Sequence, residues 1–229
     1  MTLSPMTLWT DWGLQASLVL LWLGIVGGLS ELARRRGYGA ELTRKIVHIG
    51  AGQVILLAWW LQVPSWMGVT AAAVAAIVAL VSYRLPILPG VNSVGRKSLG
   101  TFFYAVSIGV VMVWFWPRQL PYYGVIGILI MSWGDGLAAL VGQRWGRHPY
   151  HVFDQQKSVE GSLSMAAVSF AIALLVLTAV QGPIWQTWTV SAIVAITATG
   201  LEAFSQWGID NLTVPLGAAA VALYLNTLW

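Results

Sequence analysis

Eight apolar segments follow one another along the chain, separated by polar loops or by short turns that contain Pro or Gly. They cover approximately residues 13–30, 46–62, 66–82, 102–116, 121–143, 162–181, 187–203 and 211–228. A helix that crosses a bilayer needs about 20 predominantly apolar residues. The pattern therefore predicts an all-α, polytopic integral membrane bundle of about eight transmembrane helices, which forms a single domain over residues 1–229.

The composition agrees with a membrane protein and excludes several other classes. Of the 229 residues, 58% are hydrophobic and 9% are charged, whereas soluble domains carry about 25% charged residues. An ordinary soluble globule, a disordered chain and a nucleic-acid-binding domain are therefore excluded. The chain has no Cys, which also excludes a disulfide scaffold and thiol chemistry.

The basic residues lie in alternate loops, which share one side of the membrane. All of the 12 Lys and Arg residues except Arg118 fall in the first, third and fifth loops. The positive-inside rule predicts that this basic side is cytoplasmic and that both termini lie outside. Most of the 14 Trp residues lie near the other ends of the segments, as expected for an interfacial aromatic belt.

The strongest candidate for chemistry is Asp135, which lies inside the fifth apolar segment in the sequence Ser-Trp-Gly-Asp-Gly. Its carboxylate is expected roughly 12 Å below the end of that segment, at 1.5 Å per helical residue. A charge at that depth needs a partner or water and is a functional candidate by default. The alternative is a structural ion pair with an Arg. Small residues at four-residue spacing predict close helix packing, within or between chains: Gly134, Ala138, Gly142 and Gly146.

A second candidate is the sequence Lys-Ser-Val-Glu-Gly-Ser, which leads from the fifth loop into the sixth segment. Lys157 is suited to a phosphate, and Glu160 is suited to Mg²⁺ or to a bound Lys. Ser158 or Ser162 is placed to cap the helix and to aim backbone N–H groups at an anion. The alternative is a capped helix with a solvated Lys157–Glu160 pair.

Two basic sequences begin the second and fourth segments. The second segment begins with Arg44, Lys45 and His48, and its residues Arg44, His48 and Gly52 share one helix face. The alternative is that the Arg and Lys side chains snorkel at a membrane edge, with His48 simply interfacial. Arg96 and Lys97 lie beside Ser98, Gly100 and Thr101, which suits a phosphate or another basic membrane edge. This sequence is not a Walker P-loop, because it has one residue too many before the Lys and no preceding strand.

The last two segments add acidic and amide side chains on the basic side. Glu202 ends the seventh segment inside the membrane edge, where a charge is hard to explain without a function. Asp210 and Asn211 open the eighth segment, and the plain interpretation is a helix N-cap. Carboxylates, cations and glycines at a membrane boundary suit phosphoryl transfer with Mg²⁺, because that reaction depends on positioning and on charge neutralisation.

These sequence motifs together resemble the polyprenol kinase family, which includes dolichol kinase and phytol kinase. The matching residues run in order from 44 to 215, and the Gly-Asp-Gly and Lys-Ser-x-Glu-Gly-Ser sequences are the most specific. The length is similar to that of phytol kinases of photosynthetic organisms. The resemblance implies a kinase that uses CTP and Mg²⁺ to phosphorylate an isoprenoid alcohol, phytol above all, giving phytyl phosphate for tocopherol synthesis. It also implies a bacterial, for example cyanobacterial, inner or thylakoid membrane, with the active site on the cytoplasmic side.

The resemblance also implies roles for individual residues. Asp135, Glu160 and Lys157 would be catalytic, and Asp135, Glu160 and Glu202 would hold Mg²⁺. The nucleotide and its phosphates would contact Arg44, Lys45, His48, Arg96, Lys97, Ser158, Gly161, Ser162, Asp210 and Asn211. Two other functions remain as alternatives. A CDP-lipid synthase is disfavoured because its longer C-terminal signature is absent, and an ion-coupled transporter is disfavoured because the outer half carries almost no polar residues.

Overall fold

The structure is a computed structural model that describes residues 11–85, 99–153 and 155–228. Its helices are α1 (Trp12–Arg35), α2 (Ala40–Gly52), α3 (Val54–Trp60), α4 (Ser65–Ser82), α5 (Gly100–Phe115), α6 (Pro121–Leu129), α7 (Gly136–Trp145), α8 (Val159–Gln181), α9 (Trp185–Ala203) and α10 (Asp210–Leu228). A π-helical segment, Ile130–Asp135, joins α6 directly to α7. A β-hairpin of β1 (Pro149–Val152) and β2 (Gln155–Ser158) precedes α8.

Each of the eight predicted segments corresponds to a helix or to a pair of consecutive helices, so the predicted all-α membrane bundle is confirmed. The second segment is divided into α2 and α3 at Gln53, and the fifth consists of α6, the π-helical segment and α7. Five helical stretches are long and apolar enough to cross a membrane: Trp12–Arg35, Ser65–Ser82, Pro121–Trp145, Val159–Gln181 and Asp210–Leu228. Helix α5 is apolar but shorter.

The stretch Pro121–Trp145 is the central helix of the bundle. Within its most apolar window 67% of the residues are buried, against 17% to 33% for the other four spanning stretches. Helices α2, α3, α5, α8 and α10 pack around it. Its own core side chains include Ile126, Ile128 and Met131, which are fully buried. Most side chains on this helix are therefore surrounded by protein rather than by lipid.

The predicted stripe of small residues packs inside the chain, against the start of α8. A Cβ at Gly142 would lie 2.9 Å from Ser158 Oγ, and a Cβ at Gly161 would lie 3.0 Å from the carbonyl oxygen of Ala138. Deeper in the bundle, a Cβ at Gly134 would lie 2.6 Å from the Met165 sulfur. These close approaches need small residues, and they bring the central helix next to α8.

The two ends of the bundle differ in chemistry. Exposed Trp side chains lie at the beginning of α1, α4 and α9 and at the end of α3 and α5. Because consecutive spans alternate in direction, all these positions lie at the same end of the bundle. Trp12 and Trp66 pack edge to face with ring centroids 5.3 Å apart. The opposite end carries the hairpin and the start of α2, α8 and α10. The aromatic belt thus has the expected arrangement, while the cytoplasmic assignment of the other end stays a prediction.

The hairpin, like the π-helical segment, is an element of the described chain that the sequence did not predict. Its strands are antiparallel, with Pro149 opposite Ser158 and Val152 opposite Gln155. Strand β2 reads Gln-Gln-Lys-Ser, which lacks the β-branched and aromatic residues typical of strands. Ser158 ends β2 and caps α8, because its Oγ accepts a hydrogen bond from the backbone N–H of Gly161 at 3.2 Å.

Candidate active site

The charged end of the bundle contains a buried ion pair between Lys45 of α2 and Asp135, the last residue of the π-helical segment. The Lys45 ammonium nitrogen lies 2.6 Å from Asp135 Oδ2 and 3.3 Å from the Asp135 carbonyl oxygen. The Lys45 side chain is 2% exposed and that of Asp135 is 14% exposed. Because a charge at this depth is stable only with a partner, the pair holds α2 against the central helix.

His48 lies one helical turn beyond Lys45 and adds a second contact to the same carboxylate. Its Nε2 lies 3.4 Å from Asp135 Oδ2 and 3.3 Å from the carbonyl oxygen of Met131. Both neighbours are acceptors, so this geometry favours a ring with its proton on Nε2. Oδ2 therefore takes both contacts. Within the described ranges Asp135 Oδ1 makes no hydrogen bond, which leaves it available to an incoming group.

One turn deeper, Tyr104 and Ser132 join α5 to the π-helical segment and to α2, and we call this contact the Tyr104–Ser132 joint. The Tyr104 hydroxyl lies 2.5 Å from Ser132 Oγ and donates to the carbonyl oxygen of His48 at 3.2 Å. The rings of Tyr104 and His48 pack with centroids 4.7 Å apart. Gly52 makes room for the joint, since a Cβ there would overlap both hydroxyl oxygens. The joint thus positions His48 and, through it, Asp135.

A second partly buried ion pair, between Lys157 and Glu202, ties the hairpin to the end of α9. Lys157 Nζ lies 2.6 Å from Glu202 Oε1 and 2.5 Å from the Glu202 carbonyl oxygen. The two side chains are 14% and 12% exposed. Lys157 therefore does not form the solvated pair with Glu160 that the sequence left open.

Asp210 lies close enough to the two ion pairs for its charge to interact with them. The charges of Asp135, Glu202 and Asp210 repel one another, and that of Lys45 attracts all three. Helix α10 begins at Asp210 itself, so this residue lies in the first turn, and Asn211 Nδ2 donates to its Oδ1 at 3.1 Å. Asp210 makes no ion pair with any described residue, whereas Asp135 and Glu202 each pair with a Lys.

Four predicted site residues lie together at the start of α8 and connect the hairpin to that helix. They are Ser158, Glu160, Gly161 and Ser162. Glu160 Oε1 lies 2.7 Å from Nδ1 of His148, a side chain that is 76% exposed. Ser162 Oγ lies 2.6 Å from the Tyr150 hydroxyl. In the described part of the chain these residues make no hydrogen bond to Asp135 or Glu202. The predicted site residues thus divide into a buried group and a group around the hairpin.

The remaining predicted cations are placed differently. Arg44 pairs with Glu41 on its own helix at 2.6 Å, although its charge also acts on Asp135 and Asp210. Arg96 and Lys97 lie outside the described residues. The sequence left open a structural ion pair between Asp135 and an Arg. Among the described residues, the ion-pair partner of Asp135 is instead Lys45.

The buried group contains carboxylates that could hold a metal ion only together with other ligands. Within residues 11–85, 99–153 and 155–228, no three His, Asp or Glu side chains form a ready-made metal site. Mg²⁺ is usually held by one or two carboxylates together with substrate phosphates and water. The carboxylates of Asp135, Glu202 and Asp210, which interact electrostatically, supply oxygen donors of this kind.

Sequence reasoning missed Tyr104, His148 and Tyr150 as contacts of the site. Tyr104 offered one signal, a hydroxyl in an otherwise apolar segment close to the basic end. His148 directly precedes β1 and Tyr150 lies in β1, and the pairing of the hairpin places both against α8. The sequence of the hairpin was interpreted as a loop, so it gave no indication of this pairing.

The fold and these contacts define a class: a polytopic helical membrane protein with a mixed-charge site buried at one end. No family model and no solved structure matches the chain. It is 53% identical over 229 residues to a phytol kinase of Synechocystis sp., covering 99% of this chain and 97% of that protein. It is 32% identical to phytol kinase 1, chloroplastic, of Arabidopsis thaliana, covering 88% of this chain and 72% of that protein.

A third relative, the probable phytol kinase 1, chloroplastic, of Glycine max, is 29% identical and covers 88% of this chain and 75% of that protein. The chain belongs to the phytol kinase family. The resemblance inferred from its motifs is thereby confirmed.

Proposed function

We propose that this protein is a phytol kinase, which transfers the γ-phosphoryl group of CTP to the hydroxyl of phytol at the surface of a membrane. Membership of the family supports an isoprenoid alcohol kinase. The observation that carries the proposal in this chain is the buried Lys45–Asp135 pair, with Asp135 Oδ1 left without a partner among the described residues. A membrane-embedded carboxylate is suited to an alcohol whose tail stays in the bilayer.

In the proposed reaction the phytol oxygen forms a bond to the γ-phosphorus. The bond from that phosphorus to the oxygen bridging to the β-phosphorus breaks, and the nucleoside diphosphate leaves with the electron pair. The proton of the hydroxyl passes to a carboxylate oxygen, for which we propose Asp135 Oδ1. His48 and Lys45 both contact Oδ2, and they would hold the carboxylate in a single orientation toward the alcohol.

The cations of the site are proposed to receive the phosphates. Lys45 and Lys157 each neutralise a carboxylate in the present structure. When a triphosphate binds, either ammonium group can turn part of its hydrogen-bonding capacity to phosphate oxygens, since Lys carries three donors. Arg44, whose charge already acts on Asp135 and Asp210, adds a third cation. Arg96 and Lys97 complete the proposed phosphate contacts, together with Ser158, Gly161 and Ser162.

We propose Mg²⁺ as the cofactor, held by Glu202 and Asp210, with Asp135 beside them and its Oδ1 left for the proton of the alcohol. When bound there, it would supply positive charge against the charge that develops on the phosphates during transfer. The three carboxylates interact electrostatically, so a divalent cation would relieve their repulsion. Glu160, the further ligand implied by the family resemblance, pairs with His148 and would have to leave that contact to join them.

The proposed location is a bacterial inner or thylakoid membrane, with the site on the cytoplasmic side and both termini outside. The distribution of Lys and Arg among the loops supports this orientation, and the high similarity to a protein of Synechocystis supports a cyanobacterial setting. The product, phytyl phosphate, would serve tocopherol synthesis.

The test measures transfer of label to phytol in membranes that contain the expressed protein. CTP and ATP labelled at the γ-phosphate are supplied in parallel, with Mg²⁺ or with EDTA. We expect label in the lipid phase with CTP and Mg²⁺, and its loss in Asp135→Asn. Glu31→Gln is the matched control, because Glu31 is a carboxylate in an exposed pair with Arg34 on α1.

Three results would contradict the proposal or a part of it. If Asp135→Asn transferred phosphate at the wild-type rate, the proposed site would be wrong. If phytol accepted no label, but phosphatidate and α-labelled CTP gave a labelled lipid, a CDP-lipid synthase would replace the kinase. Full activity in EDTA would remove Mg²⁺ from the mechanism.

A further inference from the structure

A short loop, residues 204–209, connects α9 to α10 and lies between two carboxylates of the candidate active site. Glu202 lies two residues before it, and Asp210 follows it directly. It carries two aromatic side chains with unusually large exposure, since Phe204 is 69% exposed and Trp207 is 76% exposed. We call it the 204–209 loop. Nothing in the proposed phosphate and metal contacts uses it.

The 204–209 loop is anchored to the site at one end and to the residue before α5 at the other. The backbone N–H of Ser205 donates to the carbonyl oxygen of Glu202 at 3.2 Å, and Lys157 Nζ donates to that same oxygen. On its other side, the carbonyl oxygen of Trp207 accepts a hydrogen bond from the backbone N–H of Leu99, just before α5. A ligand held by Lys157 would therefore lie beside this loop.

The backbone of the loop is held in an uncommon conformation. Trp207 has a φ of +54° and Gly208 has a φ of +84°, so two consecutive residues occupy the left-handed region. Glycine adopts this region without cost, but Trp does so only where its surroundings demand it. Such residues concentrate at active sites and ligand clamps. Here the conformation is associated with an indole that is exposed rather than packed in the core.

The loop also contains a buried polar group without a partner. Ser205 is 8% exposed, and its Oγ makes no hydrogen bond within the described part of the chain. A buried hydroxyl that lacks a partner is costly, and in native structures it calls for an explanation such as a bound group. Ser205 is two residues from Trp207 and hydrogen-bonds through its backbone to Glu202.

We infer that the 204–209 loop binds the nucleoside part of the phosphoryl donor, with the base stacked on the Trp207 indole and a polar atom of the nucleoside bonded to Ser205 Oγ. The inference rests on the proposed kinase function, and it deepens that function by assigning a subsite to the base and sugar. The triphosphate would extend from this loop past Lys157 toward Lys45 and Asp135.

A nucleoside accounts for this loop better than insertion of its aromatic side chains into the bilayer. A bilayer explains an exposed indole but supplies no polar partner for Ser205 Oγ. The flanking carboxylates Glu202 and Asp210 also oppose burial of the loop in lipid, because charged groups are expensive there. An aromatic ring beside cations is, in contrast, a common way to hold a base and its phosphates together.

The inferred subsite would discriminate weakly among bases. Stacking tolerates any base, since every base has a π-face, and Ser205 offers one hydroxyl that both donates and accepts. We therefore expect the loss of Trp207 to weaken binding of CTP, UTP and ATP by similar factors. Any strong preference among them would have to come from residues other than Trp207.

The experiment compares four forms of the full chain in membranes: wild type, Trp207→Ala, Trp207→Phe and Phe153→Ala. Phe153 is a matched control, because it is aromatic, 68% exposed, has a φ of +52° and lies at the tip of the hairpin. We expect Trp207→Ala to raise the KM for CTP by about 5- to 150-fold, the range that base stacking implies. The kcat and the KM for phytol should stay near the wild-type values, Trp207→Phe should retain most of the affinity, and Phe153→Ala should resemble the wild type.

Inorganic tripolyphosphate, used as a competitive inhibitor, separates the base from the phosphates. Its inhibition constant should be the same for Trp207→Ala and wild type, because it has no base to stack. Ser205→Ala should raise the KM for CTP without changing that inhibition constant. An equal loss of CTP and tripolyphosphate binding would overturn the assignment, as would an unchanged KM for CTP in Trp207→Ala.

The remaining outcomes are also decisive. If Trp207→Ala and Phe153→Ala both raised the KM for phytol, the loop would be a membrane contact instead. If the wild type phosphorylated phytol while Trp207→Ala kept its KM for CTP, only this inference would fail. Absence of transfer by the wild type with every nucleotide would mean that the proposed kinase function itself fails.

Discussion

Replacing Lys45 by Met should destabilise the protein strongly, because Asp135 would then keep a buried charge with no cation against it. The Lys45 side chain is 2% exposed and the Asp135 side chain is 14% exposed. Removing one partner of a buried ion pair typically costs about 3–5 kcal/mol, most of which is the penalty of the charge left behind. His48 remains within 3.4 Å of the carboxylate, so we expect the lower part of that range.

The double variant Lys45→Met/Asp135→Asn separates this explanation from a general packing defect. It removes both charges, and replacement of a whole buried pair is often neutral for stability. We therefore expect the double variant to regain most of the free energy of unfolding that Lys45→Met loses. Phytol phosphorylation should stay absent in both, since the proposed site has lost its carboxylate or its cation. Recovery of stability without recovery of activity would mark the pair as functional.

The assay is reversible unfolding in mixed micelles with increasing SDS, followed by circular dichroism, with transfer of label to phytol measured on the same samples. Arg34→Met is the control, because it breaks an exposed pair with Glu31 on α1, and exposed pairs contribute little. Its unfolding curve should nearly coincide with that of the wild type. Two results would refute the reasoning: a Lys45→Met variant as stable as the wild type, or a double variant whose loss equals the sum of the two single losses.

Two further predictions concern the contacts around the pair. Gly52→Ala should lower turnover, and it should lower stability by about 1–3 kcal/mol, because its Cβ would overlap the hydroxyls of the Tyr104–Ser132 joint. The control is Gly24→Ala, since no atom lies within 4 Å of the new Cβ. This control should leave both properties unchanged in thermal unfolding and label-transfer assays. Lys157→Met should raise the KM for CTP about tenfold or more with little change in the KM for phytol, as one lost phosphate contact implies, and an unchanged KM for CTP would remove Lys157 from the phosphate site.

Most of the fold was predictable from the sequence because hydrophobicity determines which segments enter a membrane. Every predicted segment corresponds to a helix or helix pair, and the Trp-rich end is opposite the charged end. Asp135 was identifiable for the same reason, since a carboxylate in an apolar segment is costly enough to need a cause. The small-residue stripe likewise predicted close packing, although only the structure identifies α8 as its partner.

The partner of Asp135 was harder to predict because helix α2 offers several neighbouring polar residues. From the sequence, the candidate functional face of α2 was the one that carries Arg44, His48 and Gly52. At about 100° per residue, Lys45 lies closer to the angular position of Gly52 than Arg44 does. The centre of the contact face therefore falls between Lys45 and His48, and Arg44 lies at its edge, where it pairs with Glu41. A spacing of four residues alone does not distinguish these two cations.

The π-helical segment explains why the rest of the site was beyond sequence patterns. Its hydrogen bonds join residues i and i+5 instead of i and i+4, so the chain accommodates about one extra residue between α6 and α7. Every side chain after it is therefore rotated by roughly one residue, about 100°, relative to a continuous α-helix. Asp135, at the end of this segment, thereby faces α2, where Lys45 and His48 meet it. Hydropathy locates Asp135 along the membrane normal, but the helix irregularity sets its direction, and the direction determines which groups the carboxylate can contact.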